Sequence, residues 1–195
     1  MTPDTSASFF ESMYRQDTDP WNFATSAYEQ ERYAATIRAI AGHRYGRAFE
    51  PGCSIGVLTA SLATLCNEVV AMDISPTAVN RARERCRDLT NVHISVGSFP
   101  SEIPRGGFDL VVLSEIGYYL EEDPLLKAGG ELIERLSDDG RLLAVHWLGT
   151  SKDHVLSGDR VHELLAGLGM SAPVYAERHP GFRLDLWSKS GKAHA

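Results

Sequence analysis

Glu50-Pro51-Gly52-Cys53-Ser54-Ile55-Gly56 is the stretch on which the reading of this chain turns. Arg47–Glu50 before it reads as a short strand, and the residues from Ile55 to about Cys66 after it read as a helix. Glycine accepts positive φ and lets backbone come close to a ligand. Gly52 is therefore assigned the tight turn, and Gly56 the close packing of the helix near the strand. Twenty-one residues beyond Gly52 stands Asp73, at the end of a second strand, Glu68–Asp73. A carboxylate there can accept hydrogen bonds from both hydroxyls of a ribose.

Working outward, strand and helix alternate. Ser75-Pro76 offers an N-cap and a first-turn proline for a helix to about Asp88. Asn91–Val96 is a third strand. Phe108–Leu113 is a fourth, and its apolar run suits a strand buried on both faces. A helix over about Asp123–Leu136 leads through Asp138-Asp139-Gly140 into a fifth strand, Arg141–Trp147. Ser157-Gly158-Asp159 caps a helix to about Leu168. Ala172–Arg178 and Phe182–Ser188 are joined so tightly through His179-Pro180-Gly181 that they must be antiparallel. Upstream, Ser8–Arg15 and Ala24–Ala41 read as helices; in the second, Tyr28, Tyr33, Ala35, Ile37 and Ile40 make a loose apolar stripe.

The expected fold is α/β, a three-layer sandwich around a seven-stranded, mostly parallel sheet whose last strand is antiparallel. One domain spans 1–195, with 1–45 a helical N-terminal lid, 46–188 the sheet core, and 1–6 and 189–195 frayed ends. In such sheets ligands lie beyond the carboxyl ends of the strands. Chemistry is thus expected just after Glu50, Asp73, Val96, Leu113 and Val145.

A chain of 195 residues suits a single domain, and 43% hydrophobic with 23% charged residues is ordinary globular composition. The net charge of -7 argues against a nucleic-acid partner. Arg81, Arg83, Arg85 and Arg87 alternate along a helix and are read as a solvated face. Three widely spaced cysteines, Cys53, Cys66 and Cys86, indicate neither a disulfide framework nor a zinc site. No apolar run approaches a membrane span, and Met1-Thr2-Pro3-Asp4 is no secretory leader, so the expected place is the cytoplasm. No metal-ligand spacing and no G-x-S-x-G elbow is present.

A dinucleotide fold is the rival reading of the glycine turn. Its fingerprint needs a second glycine where a pyrophosphate approaches; Ser54 stands there, and the last glycine falls at Gly56 instead of Val57. S-adenosylmethionine (SAM) carries no phosphate and makes no such demand. These residues resemble class I SAM-dependent methyltransferases: Glu50-x-Gly-x-x-x-Gly56 is similar to their first motif, with Ser54 for the frequent middle glycine, and Asp73 matches their ribose-binding acid. A narrower resemblance is to the nodulation protein S (NodS) methyltransferases and their bacterial relatives. It rests on Asp19-Pro20-Trp21, Tyr28-Glu29-x-x-Arg32, the run Glu50 to Thr59, and Phe108 through Leu120. That resemblance implies SAM as cofactor and, in NodS enzymes, N-methylation of a deacetylated chitooligosaccharide. Where class I members commonly carry an acid facing the adenine amine, this chain has Gly97-Ser98-Phe99, and Ser98 or the backbone near Phe99 could serve instead.

The expected cofactor residues are thus Trp21, Tyr28, Arg32, Glu50, Gly52, Ser54, Gly56, Asp73, Ile74, Ser98, Phe99 and Ser114. Trp21 and Tyr28 belong to the lid, and Arg32 suits the methionine carboxylate; the alternative for all three is packing of a helix on the sheet edge. On the acceptor side, Glu115 is expected to take the amine proton or attract the developing ammonium; the alternative is a helix-start acid or an arginine's partner. Tyr118 and Tyr119 offer a ring or hydroxyl to a sugar, or pack in the core. His146 is a base, a sugar contact or a structural residue; Trp147 is a platform for a ring face; His162 and His179 are expected at the surface. Three alternatives stand beside N-methylation: O-methylation of another metabolite, a NAD-dependent oxidoreductase, and a non-catalytic SAM-binding module.

Overall fold

The computed structural model describes residues 3–189. The leader reading at Met1-Thr2 and the frayed end expected over 190–195 lie outside the described residues. The chain divides into two compact units, one of Thr5–Pro104 and one running from Arg105 onward. Seven strands form one sheet in the order β3-β2-β1-β4-β5-β7-β6.

The first unit holds α1 (Ala7–Gln16), α2 (Ala27–Ile40), β1 (Tyr45–Pro51), α3 (Val57–Leu62), β2 (Cys66–Asp73), α4 (Pro76–Arg85) and β3 (Val92–Val96). Its three strands are parallel, with Glu50 beside Ala71 and Asp73 beside Val96. The Ser75 hydroxyl caps α4 by accepting from the Ala78 amide, with Pro76 opening the helix. The helix expected to reach Cys66 is shorter. It ends at Leu62, and Cys66 already pairs with Tyr45 as the first residue of β2.

The second unit holds β4 (Phe108–Ser114), a single 3-10 turn (Gly117–Tyr119), α5 (Glu122–Arg135), β5 (Leu136–Trp147), α6 (Gly158–Ala166), β6 (Tyr175–Arg178) and β7 (Phe182–Ser188). β4 and β5 are parallel; β7 runs antiparallel to both β5 and β6. Leu110, Val111, Val112 and Leu113 are wholly buried. At about 1.5–3 kcal/mol for each large aliphatic side chain, this run anchors the unit. Asp138-Asp139-Gly140 is no turn before β5 but an irregularity within it, where the register jumps from Phe108 beside Leu136 to Leu110 beside Arg141. β6 begins at Tyr175, later than expected, because Pro173 has no N–H to give a ladder.

The arginines at 81, 83, 85 and 87 are at the surface as expected, Arg83, Arg85 and Arg87 exposed and Arg81 half-buried. A spacing of two on a helix points successive side chains to opposite sides, and each finds its own partner. Arg81 donates to the carbonyls of Asp17 and Thr18, Arg83 to Ile94, Arg85 to Ile55, while Arg87 pairs with Glu84. The first three tie the segment after α1, β3 and the glycine loop to α4.

Candidate active site

In the first unit the loop after β1 turns on three left-handed residues, Gly52 (φ 72°), Ser54 (φ 51°) and Gly56 (φ 77°). A Cβ on Gly56 would lie 3.0 Å from the Cα and Cβ of Ala82, so the glycine lets α3 start hard against α4. Ser54 bears a side chain in the same region at a strain of about 1–3 kcal/mol. Its amide donates to Asp73 Oδ2 at 2.9 Å, and its hydroxyl receives the Tyr14 hydroxyl at 2.5 Å. Asp73 Oδ1 accepts from the Ser75 amide at 2.9 Å. Burial nevertheless pushes the Asp73 carboxyl up to about 6, against those amide bonds. Glu50, buried and bonded by the Thr59 hydroxyl at 2.6 Å, is pushed up to about 8 by burial. The Asp73 charge adds to that rise. Burial likewise drives the Cys53 thiol far up, so it is an inert core group.

The first helix is fastened onto these loops by residues that the sequence did not single out. Glu11 accepts from the Ser75 hydroxyl (2.7 Å), the Thr77 hydroxyl (2.7 Å) and the Thr77 amide (3.1 Å), so it caps α4 from another helix. The Ser75 bond first, with those from Thr77 and Arg15, holds Glu11 down at about 2. Tyr14 lies three residues on, on the same helix face, and packs with Ile55 and Ala78. Trp21 is half-buried against that cluster, edge-on to Tyr14 at 5.5 Å and stacked on Phe23. A glutamate and a tyrosine at i, i+3 beside the turn-prone Asp19-Pro20-Trp21 were the available signal.

On α2, Tyr28 is half-buried, and Arg32 is fully buried with its guanidinium on the Glu29 carboxylate and 5.1 Å from the Tyr33 ring. Ile74, Ser98 and Phe99 are half-buried at the ends of β2 and β3. Glu102, which carried no sequence signal, folds back toward Gly97-Ser98-Phe99, and its carboxylate accepts from the Ser98 amide at 2.7 Å.

In the second unit Ser114 ends β4 beside Val145. Glu115 follows in the left-handed region (φ 56°). One carboxylate oxygen accepts from the Trp147 amide and the other from the Tyr118 hydroxyl, each at 2.7 Å. Tyr118 is buried, its ring stacked on His154 at 3.7 Å. Tyr119 and Trp147 are half-buried and meet His154 edge-on at 5.4 and 5.9 Å. His154 carried no sequence signal. Burial lowers its pKa, so a neutral imidazole faces these rings.

Of three histidines only His162 departs from expectation; His146 takes the structural one of its readings, and His179 keeps a partly exposed place. His146 is fully buried, and both ring nitrogens are bonded within the protein, to the Gly117 amide and to His162. His162 is not at the surface: α6 turns it inward with Val161 and Leu165, and Asp185 meets it at 2.6 Å. His179 is only partly exposed, stacked on Phe182 and bonded to Glu177. A histidine is placed by the partner that receives it, and those partners lie on other elements.

The donor set after β1 and β2 fits SAM. Two carboxylate oxygens have about four acceptor sites; the Ser54, Ser75 and Ile74 amides act on Asp73, which leaves it acceptor capacity toward a ligand. Glu50 and Asp73 are buried like charges, each displaced toward the neutral form, so a cationic ligand is welcome there. No three His, Cys, Asp or Glu side chains cluster as metal ligands among the described residues, and no described helix is long and apolar enough to cross a membrane.

Comparison with known proteins agrees. The family model described as Nodulation protein S (NodS) matches residues 5–163. The chain is 31% identical over 159 residues to nodulation protein S of Bradyrhizobium diazoefficiens, covering 80% of this chain and 73% of that one. It is 30% identical over 127 residues to nodulation protein S of Sinorhizobium fredii, covering 64% of this chain and 59% of that one. The match thus spans less than two thirds of the Sinorhizobium protein's length. The crystal structure of N-methyltransferase NodS from Bradyrhizobium japonicum in complex with S-adenosyl-L-homocysteine (SAH) superposes with a TM-score of 0.80 at 21% identity, over 92% of this chain and 97% of that one. At that identity the likeness is one of fold. The chain belongs to the nodulation protein S (NodS) family and carries the class I SAM-dependent methyltransferase fold.

Proposed function

We propose that this chain is a SAM-dependent methyltransferase that N-methylates the free amine of a small, sugar-containing acceptor, a deacetylated chitooligosaccharide being the first to test. The observation that carries the reading is the pair of buried carboxyls, Glu50 and Asp73, displaced upward to about 8 and about 6. A pyrophosphate would add negative charge beside them, which disfavours NAD. When bound, SAM supplies a methyl group activated by a positive sulfur. Asp73 offers its remaining acceptor capacity to ribose hydroxyls, with Ile74 beside it, and Glu50 answers the positive charge. Gly52, Ser54 and Gly56 hold the loop open to close backbone approach. Ser98, Phe99 and Glu102 serve the adenine, and Ser114 stays a cofactor contact.

Arg32 is proposed for the methionine carboxylate with Glu29 orienting it. The segment from Thr5 to residue 45 forms the cover, which Glu11 and Tyr14 fasten and Trp21 and Tyr28 line. An amine attacks only when neutral, and the ammonium it becomes is stabilised by an adjacent anion. Glu115 is that anion, held in place by Tyr118 and the Trp147 amide. The Tyr119 and Trp147 rings offer faces to a sugar. Placement dominates such a displacement; alignment contributes on the order of 7–11 kcal/mol. Three free thiols, Cys53, Cys66 and Cys86, accord with the cytoplasm.

The test is transfer of labelled methyl from SAM to glucosamine oligomers, with the N-acetylated oligomers as control. Label on the amine-bearing acceptor alone is expected. Label on the acetylated oligomers as well would mean O-methylation. Absence of transfer to any amine or hydroxyl, with SAH still bound, would leave a binding module. Thermal shift with NADH tests the remaining rival: a ligand at about 100 times its Kd stabilises by roughly 2.7 kcal/mol, and SAH alone is expected to do so.

A further inference from the structure

Asp185 on β7, His162 on α6 and His146 on β5 form a buried chain that the reaction outlined above does not use. His162 Nδ1 lies 2.6 Å from Asp185 Oδ2, and His162 Nε2 lies 3.2 Å from His146 Nδ1. His146 Nε2 lies 3.0 Å from the Gly117 amide nitrogen. All three side chains are buried.

The direction of every bond follows from either end. A backbone N–H only donates, so His146 Nε2 is the bare nitrogen and its proton sits on Nδ1. That proton goes to His162 Nε2, leaving the His162 proton on Nδ1, directed at Asp185. From the other end, Asp185 is held below its ordinary value: burial opposes, but the His162 bond and the Arg183 guanidinium at 2.8 Å outweigh it. An ionised carboxylate only accepts, so the same tautomers result.

What the chain holds is the turn that carries the acceptor residues. Gly117 is wedged between His146 and α6; a Cβ on it would lie 2.5 Å from Val161 Cγ1 and 3.0 Å from His146 Nε2. The His146 ring also meets the Tyr118 ring edge-on at 5.3 Å, and Tyr118 holds Glu115. We propose that the Asp185–His162–His146 chain is a positioning relay: it sets the tautomer of His146 so that the bare Nε2 grips the Gly117 amide and fixes Glu115 and Tyr118 for the acceptor. This rests on the assignment of Glu115 and Tyr118 to the acceptor. His162 and Asp185 are positioning residues with no part in cofactor binding.

The charged and titratable groups around His162 are Asp185 and Arg183 on β7, Asp159 on its own helix and His146 on β5. If His162 took a second proton, its Nε2 would become a donor. His146 Nδ1 would then have to accept, and its own proton would move to Nε2, against the Gly117 N–H. Acid should therefore release the turn.

The experiment uses the full chain. Nitrogen NMR of the imidazoles is expected to show both His146 and His162 protonated on Nδ1 at neutral pH. A proton on His146 Nε2 overturns the proposal, whether or not any methyl transfer is found. With the acceptor that serves in the transfer assay, His162→Phe is expected to lower acceptor kcat/KM roughly 10- to 100-fold, the usual range for residues that orient a functional group, with SAH Kd within about twofold of wild type. His162→Gln, whose amide carbonyl can accept from His146 and which does not titrate, is expected to restore most of that loss and to remove part of the acid limb of the pH profile. Equal losses in the Phe and Gln variants, or a parallel loss of SAH affinity, would mean a merely structural histidine and sink the relay.

Discussion

The two units solve their electrostatics in opposite ways. In Thr5–Pro104 two carboxyls are buried with too little compensation: Glu50 has one hydroxyl, Asp73 backbone amides, and both are displaced toward the neutral acid. In the unit from Arg105 onward the carboxylates are met. Glu115 has a donor on each oxygen, and Asp185 has His162 and Arg183. The first arrangement carries an unfavourable charge balance that a cation relieves. The second is already at its minimum and serves as a template. A site that must bind its ligand is left incomplete; a site that must align one is finished in advance.

The comparison is broken most forcefully at Glu115. Glu115→Gln is expected to lower methyl transfer by roughly 10²–10⁴-fold, the range for a positioned acid–base group, while SAH affinity by calorimetry stays put. A variant that loses both together would mean that the two chemistries are not divided in this way. Next is Asp73→Ala. Removing the acceptor for two ribose hydroxyls, each charge-assisted bond contributing about 1.5–3 kcal/mol, should weaken SAH binding by two orders of magnitude or more. A loss under about fivefold would remove Asp73 from the cofactor site.

Smaller, and of opposite sign in the two units, are the pH effects. Glu50 and Asp73 rise on folding, from 4.5 to about 8 and from 3.8 to about 6. Their contribution to stability is complete below their unfolded values and is lost as pH climbs through the folded ones. His162 is lowered, burial being the largest cause. Its contribution is present above the ordinary histidine value and fades as pH falls through the folded one. Thermal melts of the ligand-free protein should therefore lose stability as pH rises from about 4 to about 8, Asp73 acting in the lower part of that window and Glu50 across all of it. In Glu50→Gln the alkaline part of that loss should shrink, and a melt indifferent to this change would count against a protonated Glu50. Binding of SAM at pH 7 should release protons, seen as a buffer-dependent calorimetric heat.

The smallest effects are at the join of α1 to the glycine loop. Tyr14→Phe should cost about 1 kcal/mol in denaturant melts, for the bond to Ser54. Ser54→Gly loses the same bond but relieves the left-handed strain, so its net change should lie within about 1 kcal/mol of zero. A loss above about 2 kcal/mol would mean that Ser54 is held by more than Tyr14 and Asp73.

Much of the scaffold was legible because it is local. Gly52, Gly56 and Asp73 declare a turn, a close helix start and a strand-end acid from spacing alone, and all three stand as read. Ser75-Pro76 opens α4, Ser157 caps α6, and the run Leu110–Leu113 is buried as its composition requires. The shortfalls lie where a boundary depended on another strand: Cys66 joins β2 because Tyr45 pairs with it, and Leu136 joins β5 because Phe108 does.

The amino-acid order by itself determined the alternation of strands and helices, the reversed last strand, the glycine turn and the strand-end aspartate, because each depends on backbone preferences of residues close in the chain. Only the tertiary structure decided that Glu11 caps a helix 64 residues away, that Tyr14 bonds Ser54 across 40, and that His162 is enclosed with Asp185 and His146. A polar side chain takes its role from the partner that packing delivers to it, and the distance along the chain to that partner leaves no mark in the local pattern.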